Sequence, residues 1–515
     1  MGSFLRFQVY HTCNKIRTLG CLKDITIEGA MNEREADEAD EFCERIEDEV
    51  DAWVEKQIEK ACDEAERHVA KRMRKRVPAF PEKGGYQKWG RDRWTHSEWQ
   101  KLLGHLRDEA LRQSNPEQYK KHAFTFRKRF RVPFEIFTKL LDKAEASKVF
   151  APKQKGHSDV PLEMKLLSTL RYNAVGCAWD VIEEISHVSI STSATFHAKY
   201  MKWFRETQYD EYVNPTDITK AEGQYSMLGF PGCVGSMDGV HLAWDNSPNR
   251  LAYTGKEAYP TVAFNVVCDS NGRCQSMTHG FPGKVNDKTQ VRVDPFIHKL
   301  RGGDEKYYNF KFRVRGDPKK FDKWMDLKGA YVLCDGGYHQ WRELICGVKN
   351  SVQVPVANFA ARAESVRKDV ECLFGRTKKR FRVLRVPFLF KSQAHIENTF
   401  RFCMALHNML LEYDGIADIG QDEADWIDAD VDDHLRRVQE KVKQGNAGVD
   451  DATRTGYGAT RTGYGNVDNK EQCEGFTDLR NALTAHISHL GKNLKWRKKA
   501  SDIGLLFKQQ SGYMV

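Results

Sequence analysis

Two short apolar runs in the middle of the chain each deliver an aspartate followed by glycine. The first lies in Gly229-Phe-Pro-Gly-Cys-Val-Gly-Ser-Met-Asp238-Gly-Val-His241, the second in Ala330-Tyr-Val-Leu-Cys-Asp335-Gly-Gly-Tyr-His339. An apolar run closed or interrupted by Asp-Gly reads as a buried strand ending at a turn. Further on, Phe359, Ala363, Val366, Val370 and Phe374 recur with the spacing of one helix face, and Glu371 sits among them. Two strand-end aspartates and one helix glutamate can converge at one edge of a sheet. Clustered carboxylates repel unless a cation stands between them, and hard oxygen donors suit Mg²⁺ or Mn²⁺.

The rest of this central region reads as α+β. Val234 to Trp244 is the expected first strand. Thr261–Cys268 and Arg273 to His279 are expected to form a hairpin turning at Asp269 to Gly272. Asp287 is expected to open a helix running to about Leu300. The stretch from Arg301 to Leu327 is polar and reads as an insertion. Tyr331 to Cys334 gives another strand, and Asn358 to Arg380 the helix of Glu371. Three antiparallel strands, a helix, a strand and then helices is the element order of a ribonuclease-H-like fold.

The same segments resemble the DDE nuclease domain of PIF/Harbinger transposases, and in particular the plant transposon proteins. The motifs that carry the resemblance are Gly-Phe-Pro-Gly-x-x-Gly-Ser-x-Asp ending at Asp238, and Pro282-Gly-Lys-Val-Asn-Asp287. They continue with Asp335-Gly-Gly-Tyr338, Arg367-Lys-Asp-Val-Glu371-Cys-Leu-Phe-Gly375 and Leu406-His-Asn-Met409. They stand in the family's order between about Arg129 and Asp414. The resemblance implies a ribonuclease-H-like catalytic domain, a mixed sheet flanked by helices, at 229–414, acting on DNA at element ends and target sites. It also implies a separate Myb-like accessory protein, since no convincing Myb domain is present here.

Such chemistry uses two divalent ions about 4 Å apart, Mg²⁺ or Mn²⁺, that bind the attacking and leaving oxygens of a phosphodiester. Asp238 is assigned as the bridging ligand, Asp335 and Glu371 complete each side, and Asp287 is the fourth carboxylate. Asp269 and Asp369 are read as structural. Arg367, one turn before Glu371, can orient that carboxylate or hold a phosphate. Arg376, Lys378, Lys379, Arg380 and Arg382 form a basic row that reads as a DNA backbone track, with a solvated face as the alternative. His407 reads as a packing residue. A second reading of the chain is a domesticated descendant that binds DNA or regulates chromatin without cleaving.

Four regions are expected: a charged helical extension at 1–85, a helical region at 86–220, the catalytic domain, and a tail at 415–515. In the extension, Glu33 to Met73 reads as a long amphipathic helix, either partner-binding or simply solvated. The basic run Lys71 to Arg76 fits a nuclear import signal or a phosphate patch, and the expected location is the nucleus. Trp89, Trp94 and Trp99 read as local core, as do Phe130 and Phe134. Val160 to Phe204 reads as helix, helix, turn, helix. Helix–turn–helix is a plan that places its second helix in the major groove, here Ser191 to Phe204 with Thr195 and Lys199 exposed; a plain helical bundle is the alternative. The tail is acidic from Glu412 to Asp433, repeats Ala-Thr-Arg-Thr-Gly-Tyr-Gly twice over 452–465, and turns helical again at Phe476 to His489.

The 13 cysteines form no Cys-x-x-Cys pair, so a zinc site is not expected. No apolar run is long enough to span a membrane. A homo-oligomer remains open.

Overall fold

The computed structural model describes residues 93–151, 160–315, 324–348, 351, 353–419, 426–428, 470–490 and 494–497. All of these residues fall within one unit of the chain, Trp89–Val515. The expected helix of Glu33 to Met73, the Lys71 to Arg76 run, Trp89 and the repeats at 452–465 all lie outside the described residues.

The described chain begins with helices set by clear start and stop signals. In α1 (Glu98–Arg107) the Ser97 hydroxyl caps the Gln100 N–H, and Trp99, Leu102, Leu103 and Leu106 fill the buried face. Helix α2 (Glu109–Ser114) is capped by Asp108. Helix α3 (Pro116–Phe130) starts with proline in its first turn, where no N–H is needed, and ends at Arg131 in the left-handed region. Phe126 meets Phe130 and Phe137 of α4 (Phe134–Ala146) at tilted angles, and Phe130 meets Trp99 edge-on. The aromatics of this basic stretch therefore serve the core, and Phe134 packs against it half-buried. Arg127 is half-buried and pairs with Asp414 at 2.7 Å.

Helix α5 (Leu162–Val175) stops at Gly176, whose φ is 59° and whose Cβ position lies 2.9 Å from the Val386 side chain. Helix α6 (Trp179–Ser186) ends at His187, also left-handed, and α7 (Ile190–Thr207) begins at the Ser189 cap. Phe196, Tyr200, Met201 and Phe204 of α7 are buried. Phe204 meets Phe402 edge-on at 4.8 Å, so the helical region and the later sheet share one apolar cluster.

After α8 (Ile218–Met227) comes β1 (Cys233–Ala243), the central strand. It pairs antiparallel with β2 (Thr261–Cys268), which pairs antiparallel with β3 (Cys274–Met277) and β4 (Phe281–Pro282). On its other side β1 runs parallel to β7 (Tyr331–Leu333), and β7 parallel to β8 (Leu344–Ile345). The order is β3-β2-β1-β7-β8. Every residue of β2 is buried, as expected for a strand covered on both faces. The result is a mixed sheet flanked by helices and preceded by a helical region.

Two expected elements differ. The helix from Asp287 stops after one and a half turns as α9 (Asp287–Arg292), because Asp294 and Pro295 start a new turn. The Asp294 carboxylate caps the N–H groups of Phe296 and Ile297, and Pro295 has none to offer an earlier helix. The polar stretch from Arg301 to Leu327 contains a hairpin, β5 (Lys311–Arg315) with β6 (Trp324–Lys328). Phe312 and Val314 alternate inward with period two.

Helix α10 (Val354–Arg380) lies across the sheet, and α11 (Gln393–Tyr413) packs beside α7. Helix α12 (Lys470–Leu490), expected in a tail, instead places Phe476, Leu479, Leu483 and Ile487 against Phe359, Val366 and Phe312. A short pair, β9 (Trp426–Asp428) and β10 (Lys495–Arg497), lies nearby, and buried Arg362 donates to the Lys495 and Leu228 carbonyls. Burial pulls that guanidinium down to about 9.

Candidate active site

Parallel pairing of Ser236 with Leu333 sets the position of the two strand aspartates. Asp238 and Asp335 each follow two residues later, so they reach the same level on neighbouring strands. The Asp238 carboxylate is fixed by the Gly239 N–H at 2.8 Å, and Asp335 by the Gly337 N–H at 2.7 Å. Side chains alternate along β1. Asp238 therefore shares the face of Val240 and Leu242, which meet Val370 and Leu373 of α10.

Helix α10 presents Glu364, Arg367 and Glu371 along one face, three and four residues apart. The Arg367 guanidinium, 7% exposed, donates to Asp238 Oδ2 at 3.0 Å, to Glu371 Oε1 at 2.8 Å and to Glu364 Oε1 at 2.8 Å. One planar fork thus ties the helix acids to the strand acid. Burial pulls Arg367 down, but the three carboxylates outweigh it and hold it above its ordinary value. Burial pushes Asp238 up; Arg367 offsets part of this, and the charge of Asp335 adds to it.

Gly239 faces the opposite side of β1, toward α9. A Cβ there would lie 3.3 Å from Asp287 Oδ1 and 3.8 Å from the Tyr338 hydroxyl. Asp287 is thereby brought up to the same strand segment, in the first turn of α9 behind its Asn286 cap. Tyr338 feels the group together: burial, then Asp287, Asp238 and Asp335, hold its phenol well above the usual value. Its hydroxyl donates to Asn265 Oδ1 at 2.8 Å, and Asn265 Nδ2 donates to Asp294 Oδ2 at 2.7 Å. Burial pushes Asp294 up to about 6. Sequence reasoning missed this support; its trace is the lone Asn265 inside the apolar run of β2.

Asp238 and Glu371 thus meet at Arg367 on the α10 face of β1, Asp335 lies at the level of Asp238 on the neighbouring strand, and Asp287 reaches the same strand segment from the opposite face. Among the described residues, no three His, Cys, Asp or Glu side chains stand in a ready metal-ligating group. The guanidinium occupies the space between Asp238 and Glu371. The acids offer only carboxylate oxygens, the donor type that hard divalent cations take, and the charge of Asp335 beside Asp238 is one that a cation would relieve.

The basic row divides. Successive helical residues point about 100° apart, and α10 sends Arg376 and Lys379 to solvent, with exposed Arg382 just beyond its end. Lys378 is half-buried, its ammonium 3.4 Å from the His241 carbonyl, and burial lowers it. Arg380 turns to His407 Nδ1 at 3.3 Å, and burial pulls it down to about 10. His407 itself is buried and reaches the Gly272 carbonyl at 2.9 Å, while Asn408 pins Cys274 and Tyr212. Asp269 holds the hairpin turn through the N–H groups of Asn271 and Arg273. Asp369 lies toward Tyr225 and Cys268, away from the acids.

On α7, Thr195 and Lys199 are both exposed. Lys199 donates to the Val149 carbonyl at 2.7 Å and lies over the Phe150 ring.

Residues 208–418 match the model of the family described as plant transposon protein. The match spans all four acids and Arg367, and it supports a transposon-derived protein. No curated protein and no solved structure matches the chain.

Proposed function

We propose that the chain is a metal-dependent DNA endonuclease, a transposase of PIF/Harbinger type. The observation that carries the reading is the parallel pairing of β1 with β7, which sets Asp238 and Asp335 at one level where their charges repel. The strand order and directions support a ribonuclease-H-like domain, and the family match supports a transposon origin.

Asp238 and Asp335, completed by Glu371 and Asp287, would hold Mg²⁺ or Mn²⁺. Such an ion lowers the pKa of an attacking water or 3′-hydroxyl and offsets charge on the departing oxygen. The chain's own residues do the positioning. Backbone N–H groups of Gly239 and Gly337 orient the two aspartates, and Arg367 fixes Glu371. In the first step water attacks phosphorus, a P–O bond forms, the bond to the 3′-oxygen breaks, water gives its proton to solvent, and the departing 3′-oxygen takes a proton from solvent to leave a 3′-hydroxyl. In the second, the freed 3′-hydroxyl attacks a target phosphodiester in the same way. The work would be done in the nucleus, with DNA as substrate and a Myb-like protein as accessory.

One observation favours the second reading, a DNA-binding descendant without cleavage: the guanidinium stands between Asp238 and Glu371, where a ligand set would have to close. A cleavage assay on duplexes carrying the element's own ends, with Mg²⁺ or Mn²⁺, separates the two.

A further inference from the structure

On the α9 side of the acids, four side chains form a continuous run of contacts, Arg301, Trp341, His339 and Arg292. The Arg301 guanidinium lies 3.9 Å over the Trp341 ring. Trp341 stacks on His339, with centroids 4.6 Å apart and planes 5° from parallel. Arg292 Nε donates to His339 Nε2 at 3.3 Å, and the Lys288 carbonyl lies 3.2 Å from the same nitrogen. The two rings are buried, while Lys288, Arg292 and Arg301 are exposed. Lys288 directly follows Asp287, and His339 directly follows Tyr338, whose hydroxyl stands beside Gly239. The run is therefore continuous with the acids, on the opposite face of β1 from α10.

We propose that this run is a second phosphate track, which grips the DNA backbone on the far side of the acids from Arg376, Lys379 and Arg382. The inference rests on the DNA-acting reading above. A guanidinium held over an aromatic ring by cation–π attraction keeps its N–H donors available for a phosphate. Among the described residues neither Arg292 nor Arg301 stands within salt-bridge distance of a carboxylate. Burial holds Glu343 above its ordinary value, and Arg342 and Arg301 offset only part of this. Two tracks, one on each face of β1, would hold a strand across the aspartates rather than beside them.

The test is binding of a fluorescent duplex carrying the element's ends, measured by anisotropy over a range of salt. In Arg292→Gln with Arg301→Gln, the slope of log affinity against log salt should flatten by about 1.8, about 0.9 for each phosphate no longer held. Arg301→Lys, which keeps the charge but not the planar guanidinium, should keep the slope and bind several-fold more weakly. If the double variant fails to fold, Arg292→Gln alone should flatten the slope by about 0.9. A double variant with the wild-type slope and affinity overturns the track, as does a wild-type chain with no salt-dependent binding. Asp238→Asn should keep the wild-type slope while losing cleavage, so failure of the nuclease reading and failure of the track are seen separately.

Discussion

Arg367 reaches from α10 to the central strand and donates to Asp238 Oδ2 at 3.0 Å, while its other amine holds Glu371 at 2.8 Å. These acids are 133 residues apart in sequence, and one buried cation sets their separation in space. Asp238 is 24% exposed and Glu371 46%, so both remain open to a ligand from solvent while Arg367 does not.

Gly239 leaves room for Asp287 on the opposite face of β1. In Gly239→Ala the new methyl would press on Asp287 at 3.3 Å and move it. Misplacing a catalytic group by about 1 Å can cost on the order of 100-fold in rate. Cleavage should fall by roughly tenfold to 100-fold with DNA affinity unchanged. Wild-type cleavage by this variant would remove Asp287 from the site.

The basic row at the end of α10 should separate into two behaviours. Replacing Arg376, Lys379 and Arg382 by Ala should weaken binding on all sequences and flatten the salt slope by about 2 to 3. Arg380→Ala should instead destabilise the fold by about 1–3 kcal/mol, since His407 and its surroundings lose a buried donor. Salt titrations and urea unfolding of the two variants decide this. A flattened slope with unchanged stability in Arg380→Ala would reverse the assignment.

How far the site was legible follows from which signals are local. The strand β2 and helix α6 stand where their periodicity put them, but Asp238 lies in the middle of β1 rather than at a strand end, because the strand continues through Gly239 to Ala243 in pairing with β2. The hairpin of β5 and β6 was hidden by charge: Phe312 and Val314 alternate correctly, but the intervening Lys311, Arg313 and Arg315 made the stretch read as polar. The split at Asp294-Pro295 was readable from proline alone. The inward turn of Lys378 and Arg380 was not, because it depends on what α11 presents across the interface. Nor could the helical period of α12 say which core it would join; its apolar face meets α10 only through tertiary packing.

Asp294 should give the fold a pH dependence of known sign. Its carboxyl is raised to about 6 in the folded state, above its unfolded value. Its contribution to stability is therefore fully present below the unfolded value and is lost as pH rises through about 6, by about 3 kcal/mol at most. Asp294→Asn keeps a cap oxygen and removes the titration. Urea unfolding between about pH 4 and 7 should show a smaller decline in the variant than in wild type. Equal declines would place this titration elsewhere.

On α7, exposed and buried positions should part in the same manner. Phe204→Ala should cost about 3–5 kcal/mol of stability, since the ring is fully buried against Phe402. If α7 reads bases, Thr195→Ala with Lys199→Ala should leave stability nearly unchanged and shift site preference by about 1–3 kcal/mol for each base no longer read. Binding-site selection measures it. Identical selected sites would make this region a bundle that only positions the sheet.

The most direct measurement is cleavage of a duplex carrying the element's ends, with Mg²⁺ or Mn²⁺, by wild type and by Asp238→Asn. The account predicts metal-dependent nicking by wild type. It also predicts loss of nicking in the variant, with folding and DNA affinity largely retained. Wild-type cleavage rates in Asp238→Asn would contradict it.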